Sequence, residues 1–140
     1  MEVTPMRRSI TVLAAGALLA SSAALADPSV LNSVSSSSMT VTDWYKQDVY
    51  DPNNNKIGAV SDVLVSPDGR VDALIVGVGG FLGVGTKDVA VNFNAVKPIK
   101  RDNKIYLTVN ATKDELKAAP GFKYDRETTA WVPDSKSSTR

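Results

Sequence analysis

The chain has 140 residues, with 16 basic and 15 acidic side chains and neither histidine nor cysteine. Without imidazole or thiol there is no Ser-His-Asp or Cys-His pair, no His or Cys metal site and no disulfide, so any chemistry falls to carboxylates, lysines, tyrosines and hydroxyls. The near-neutral balance also lacks the basic stripe that a nucleic-acid ligand requires.

At the N-terminus Arg7 and Arg8 precede an apolar run from Ile10 to Ala20, and Ala24-Leu25-Ala26 forms a small-x-small site before Asp27. This pattern predicts an export signal over residues 1–26, cleaved after Ala26, and a periplasmic or secreted product. The apolar run is shorter than the roughly 20 residues that cross a bilayer. Residues 27–140 carry 14 basic and 14 acidic side chains, so neither nucleic acid nor anionic lipid is the expected ligand. Their number suits a single domain.

Residues 27–41 are rich in serine and poor in charge and read as a flexible linker. The domain is expected over residues 42–125, with a C-terminal tail at 126–140. Its first piece, VTDWYKQDVYD, mixes β-branched and aromatic residues and ends in the turn cluster Asp51-Pro52-Asn53-Asn54-Asn55. Lys56–Ser66 and Arg70–Gly79 read as strands rich in Val, Ile and Leu. Ser66-Pro67-Asp68-Gly69 joins them as a hairpin, proline presetting the turn and glycine supplying positive φ.

Alternation predicts Ile57, Ala59, Val63 and Val65 on one face of the first strand, with Val60 and Leu64 on the other. Along the second strand Val71, Ala73 and Ile75 oppose Leu74, Val76 and Val78. Apolar residues on both faces imply a closed or strongly wrapped sheet.

Residues Gly77–Gly85 hold five of the nine glycines. At roughly 0.5–1 kcal/mol each, they cost an ordered backbone about 2.5–5 kcal/mol, so the fold or the function requires the geometry they allow. Lys87–Phe93 reads as the next strand, with Val89, Val91 and Phe93 alternating. Lys104–Val109 follows, with Ile105, Leu107 and Val109 directed inward and Tyr106 and Thr108 outward. Thr112-Lys113-Asp114-Glu115 has capping-box spacing and predicts a helix of one to two turns, stopped by Ala118-Ala119-Pro120-Gly121. Phe122 and Tyr124 return toward the sheet, Trp131 is a last packed residue, and Asp134–Arg140 is expected to fray.

The segment DVYDPNNNKIGAVSDVLVSPDGRVDALIVGVGGFLGVGTKDVAVNFNAVK resembles the PRC-barrel family, a small β-barrel shared by the H subunit of photosynthetic reaction centres and the C-terminal domain of a ribosome maturation factor. The resemblance rests on Val49-Tyr50-Asp51, Ile57-Gly58, Val60-Ser61-Asp62, Pro67-Asp68-Gly69 with Val71, and Gly79-Gly80-Phe81-Leu82-Gly83 leading to Lys87-Asp88-Val89. Residues 112–124 look like the tail of exported bacterial members. Members usually carry glycine where this chain has Lys46-Gln47 and again where it has Asn55; asparagine tolerates positive φ, so the first departure bears more on local geometry. The resemblance implies a binding or assembly module without catalytic residues. The expected fold is mainly β: a small antiparallel barrel of five to six strands with one short C-terminal helix.

Three motifs fall short of a chemical site. Gly80–Lys87 approaches a phosphate-binding loop, but Thr86 separates Lys87 from Gly85 and a strand follows where a helix is needed, so no nucleotide is expected. Asp51, Asn53, Asn55 and Asp62 have the spacing of a calcium loop, but Lys56 occupies the glycine position and strands flank the segment, so a turn and no metal is the reading. Asp62, Asp72 and Asp88 would form an acid-base set in an exported enzyme only if two converged in a pocket. Asp62, between Val60 and Leu64, is expected to be held in a salt bridge or backbone hydrogen bond.

The candidate binding residues are Gly79, Gly80, Phe81, Leu82 and Gly83, rimmed by Thr86 and Lys87. Phe81 and Leu82 either cap one end of the barrel, gaining roughly 1.5–3 kcal/mol each, or form an exposed apolar contact. Trp44, Tyr45 and Tyr50 are secondary candidates that core or edge packing would also explain. The expected function is a non-enzymatic exported adaptor, without cofactor, that docks on a protein partner or self-associates through an open edge. A weak membrane-surface contact through Phe81 and Leu82 is the alternative, and an enzyme using the three aspartates a more distant one.

Overall fold

The structure is a computed structural model that describes residues 29–80 and 85–136. The chain divides into two units, Met1–Ser35 and Ser36–Arg140. In the first, residues 29–35 form neither helix nor strand and expose Val30, Leu31 and Val34. The expected signal lies outside the described residues. Among the described residues no helix is long and apolar enough to cross a membrane.

The second unit opens with a 3₁₀ turn, Val41–Asp43, capped reciprocally by Thr40 and Asp43. Then come β1 (Asp48–Tyr50), β2 (Lys56–Val65), β3 (Val71–Val78) and β4 (Lys87–Asn92). A second 3₁₀ turn, Phe93–Ala95, leads to β5 (Val96–Arg101) and β6 (Lys104–Val109). The helix α1 (Lys113–Ala118), β7 (Gly121–Asp125) and β8 (Ala130–Pro133) complete the unit. The strands form one sheet in the order β5-β6-β1-β2-β3-β4-β7-β8.

The expectation of five or six antiparallel strands needs two corrections. Among the described residues there are eight strands, and β1 runs parallel to β6, so the sheet is mixed. Both unexpected strands read poorly from sequence: β5 buries only Val96 and carries Pro98 and three basic residues, and β8 is four residues long within the expected tail. The order has two ends, β5 and β8, with no ladder between them, so hydrogen bonds do not close the sheet.

Connectivity nevertheless forces it to curl. Laid flat, β4 and β5 stand five strand spacings apart, about 24 Å, yet Asn92 and Val96 are joined by a chain that spans at most about 14 Å. The curl wraps β1–β6 around one core of Val49, Ile57, Val60, Leu74, Val76, Val78, Val89, Val91, Val96, Leu107 and Val109. Ile75 is fully buried on the opposite face of β3, outside that cluster, as expected of a strand covered on both sides.

The facing predicted for β2 is wrong, and two bulges explain why. The register slips at Ile57 against β1 and at Ser61 against β3. Each extra residue resets the pleat, so Ile57, Val60 and Val63 all meet the core at spacings of three. Val65, expected on the same face as Ile57, is instead exposed at the end of β2, where the register against β3 slips once more between Leu64 and Val65.

The turn chemistry follows the sequence more closely. Gly69 has φ 84° and donates its N–H to Ser66 O at 2.9 Å. Thr112 and Glu115 cap α1 as a reciprocal box. In the Asp51–Asn55 turn the left-handed residue is Asn54 (φ 66°) and not Asn55, because Asn55 is occupied in binding Asp51. Asp51 Oδ1 accepts the Asn55 N–H at 2.8 Å and Oδ2 accepts Asn55 Nδ2 at 2.9 Å.

Candidate functional site

The glycine segment leaves β3 and enters β4 through backbone that only glycine adopts without strain. Gly79, Gly80 and Gly85 have φ of 77°, 72° and 74°. A Cβ at Gly79 would also lie 3.1 Å from Lys117 Cε, the flexible end of a side chain that can yield by a few tenths of an ångström. Lys117 lies in the last turn of α1, and Lys87 Nζ donates to its carbonyl oxygen at 2.8 Å. A cation at the C-terminal carbonyls complements the helix dipole, so Lys87, expected to rim a contact, also fastens α1 to the first residue of β4. Thr86 is exposed. Phe81, Leu82 and Gly83 lie outside the described residues.

Beside this segment runs a shallow groove of about 510 Å³ along the exposed side of β2 and β3, past Gly58, Ala59, Gly77 and Gly79, with Thr86 and Lys113 on its walls. Its floor is backbone because Ala59 stands opposite Gly77, which in turn stands opposite Asp88 on β4. Tyr45 and Ser61 border its continuation. The arrangement offers a surface of small residues, hydroxyls and cations and assembles no reacting pair.

The three candidate aspartates are not gathered into one pocket. Asp62 Oδ1 accepts the Val63 N–H at 2.8 Å, and its Oδ2 accepts Trp131 Nε1 at 2.7 Å. Asp88 Oδ1 accepts the hydroxyl of Ser61, the bulged residue of β2, at 3.1 Å. Asp72 is exposed on β3. Among the described residues no three carboxylates come together as a metal site. The carboxyl of Asp51, first in the calcium-like spacing, is held below its usual range by the Asn55 side chain and then by the Asn55 backbone N–H, so its oxygens are committed to the turn.

The aromatic candidates separate. Trp44 packs against the core, its ring centroid 4.6 Å from that of Phe93. Tyr50 meets Tyr106 edge-on at 5.6 Å. Tyr45 stays exposed, with Lys46 Nζ 5.2 Å from its ring centre. Lys46 has φ 64°, so this lysine, where the family resemblance leads one to expect glycine, does adopt glycine-like backbone. Reciprocal bonds between Lys46–Gln47 and Val60 hold it there.

Two contacts were not legible in the sequence, although Trp131 itself was expected to pack. Lys117 meets Gly79 from 38 positions away, and Trp131 bonds to Asp62 across 69 positions. Neither has a local signal. The Trp131 bond joins β8 to β2, four strand spacings or about 19 Å away in a flat sheet, so the C-terminal hairpin is folded over the β2–β4 face.

Simple strand-to-strand pairing at β5 is disfavoured. Lys97, Pro98, Lys100 and Arg101 are all exposed along that edge, and charged side chains with proline blunt an edge.

Compared with models of known families, residues 37–116, more than half of the chain, match the PRC-barrel domain. No curated protein matches the chain.

Proposed function

The chain belongs to the PRC-barrel domain family, and from that premise we propose that it is a non-enzymatic binding module whose curled sheet is the family's barrel, exported after cleavage behind Ala26. It docks on a protein partner or assembly through the glycine segment from Gly79 to Lys87. One observation carries the choice of surface: left-handed glycines stand on both sides of Phe81 and Leu82 in the sequence, while Lys87, at the segment's end, bonds to the Lys117 carbonyl of α1. A loop whose two ends leave neighbouring strands of one sheet, Val78 of β3 and Lys87 of β4, holds a fixed place on the domain surface, where loops carry recognition. Structural hydrogen bonds to Asp62 and Asp88 support the non-enzymatic reading.

The test is capture from an envelope extract by the mature protein, wild type against Phe81→Asp/Leu82→Asp, after circular dichroism has established that both are folded. Loss of a specific captured protein by the folded variant is the expected result. Equal capture by both sinks this surface, and binding to neutral and anionic vesicles alike would move the reading to a membrane contact. Fractionation with N-terminal sequencing checks export, with Asp27 as the expected first residue.

A further inference from the structure

The C-terminal hairpin β7–β8 lies beyond the family-matched residues and is weakly moored. Only Phe122 and Gly121 pair with β4, opposite Asp88 and Val89, although β4 pairs with β3 along all six of its residues. A side-chain hydrogen bond from Trp131 to Asp62 also ties the hairpin to the sheet. Elements with few ladder bonds and much exposure open before the rest of a domain does, and here Lys123, Tyr124 and Ala130 are all exposed.

When the hairpin lifts, the backbone N–H and C=O of β4 that face β7 in the Asp88–Val89 stretch become an open edge, next to the face that holds Ile75 and Asp62. An open edge is a template for another strand. What fits this edge pair by pair, with an indole N–H to reach Asp62, is the same hairpin from a second copy. The hinge suits such an exchange: only Ala119 and Pro120 separate α1 from β7, and Ala119 is already extended at φ −65°, ψ 157°. α1 itself stays with its own core through Leu116 and the Lys87 bond.

We propose that the outer edge of β4, with the face around Asp62, is a self-recognition surface at which two copies exchange their β7–β8 hairpins to form a dimer. The exchange uses no contact absent from the monomer, which is why identical chains can swap elements readily. It deepens the binding-module reading by naming a second copy as one partner, and rests on that reading only for its biological use.

The natural absence of cysteine makes the test clean. Directly opposed residues on antiparallel strands have Cα atoms about 4.5–5.5 Å apart, within disulfide reach. Purified Asp88→Cys and Phe122→Cys proteins, each folded by circular dichroism, are mixed at high concentration, unfolded, refolded together and oxidised. The expected product is a covalent heterodimer, enriched several-fold over a control mixture of Asp88→Cys with Arg126→Cys. Trp131→Phe removes the same hydrogen bond from the monomer and from the exchanged dimer, so light scattering after the same refolding should show an unchanged dimer fraction that is reached several-fold faster than in wild type. Cross-linking no better than the control, together with a monomeric mass for wild type and Trp131→Phe at every concentration, overturns the exchange. That outcome leaves capture of a different protein by the glycine segment untouched, so the two readings fail separately. Hydrogen exchange as slow in residues 121–133 as in β2 and β3 would remove the premise that the hairpin lifts.

Discussion

Replacing Gly58 with alanine should break this fold at one identifiable atom. Gly58 sits in β2 between Val49 of β1 and Val78 of β3, so the strand cannot move aside in either direction. A Cβ at this position would lie 2.1 Å from the carbonyl oxygen of Gly77, 3.0 Å from its carbonyl carbon and 3.3 Å from Val78 Cα. All three are backbone atoms. Ordinary contact begins near 3.4 Å, so the oxygen is about 1.3 Å too close and no rotamer change relieves it. Overpacking costs typically 1–3 kcal/mol, and parting β2 from β3 also leaves buried ladder groups unmade at about 1–3 kcal/mol each. The expected loss is therefore at least about 3 kcal/mol, or roughly 12 °C or more in Tm for a domain of this size. Thermal and urea unfolding of residues 27–140, followed by circular dichroism, measures it. Gly77→Ala is the control: its Cβ would meet nothing nearer than Asp88 Oδ1 at 3.4 Å, and its cost should stay below about 1 kcal/mol. If Gly58→Ala unfolds within 1 kcal/mol of wild type, β2 and β3 do not approach as closely as described, and the reasoning fails.

Trp131→Phe keeps an aromatic ring but removes the indole N–H that donates to Asp62; stability should fall by roughly 1–2 kcal/mol, with faster amide exchange confined to residues 121–133, whereas an effect spread over β2–β6 would contradict the local role. Lys46, at φ 64°, should accept glycine without loss, but Lys46→Val should cost roughly 1–2 kcal/mol because a β-branched residue is strained there; equal stability of the two variants in urea would refute the backbone argument. The Thr112 backbone N–H, and then its hydroxyl, lower Glu115 below its ordinary 4.5, and Asn55 lowers Asp51 below 3.8. Folded values below unfolded ones give stability that is complete above the unfolded values and is lost as pH falls through the folded ones. Melting temperature should thus decline from about pH 4.5 downward. With no histidine in the chain, no imidazole titration should bend the profile between pH 5 and 8, and a side-chain transition there would contradict the assignment.

The backbone that flanks the candidate site was legible because its signals are local. Glycines in a short run announced left-handed backbone, found at Gly79, Gly80 and Gly85. Lys87 was picked out as a rim residue, but its bond to the Lys117 carbonyl could not be read, since the two are 30 positions apart and neither carries a motif. Asp62 stood out as a carboxylate among apolar neighbours. That it would be satisfied partly by an indole from a segment read as tail depended on how the sheet curls.

The sequence by itself determined the class of this domain: β-branched runs punctuated by Pro-Asp-Gly and Asn-rich turns, a capped helix of two turns or fewer, and the family pattern from Val49 to Val89. These properties follow from steric and hydrogen-bonding preferences of residues close in the chain. Tertiary structure alone decided the facing of β2, the parallel pairing of β1 with β6, and the use of β5 and β8 as strands. Each depends on a bulge, an edge or a crossing between residues far apart in sequence, where the free energy comes from burying one surface against another and leaves no periodicity to read.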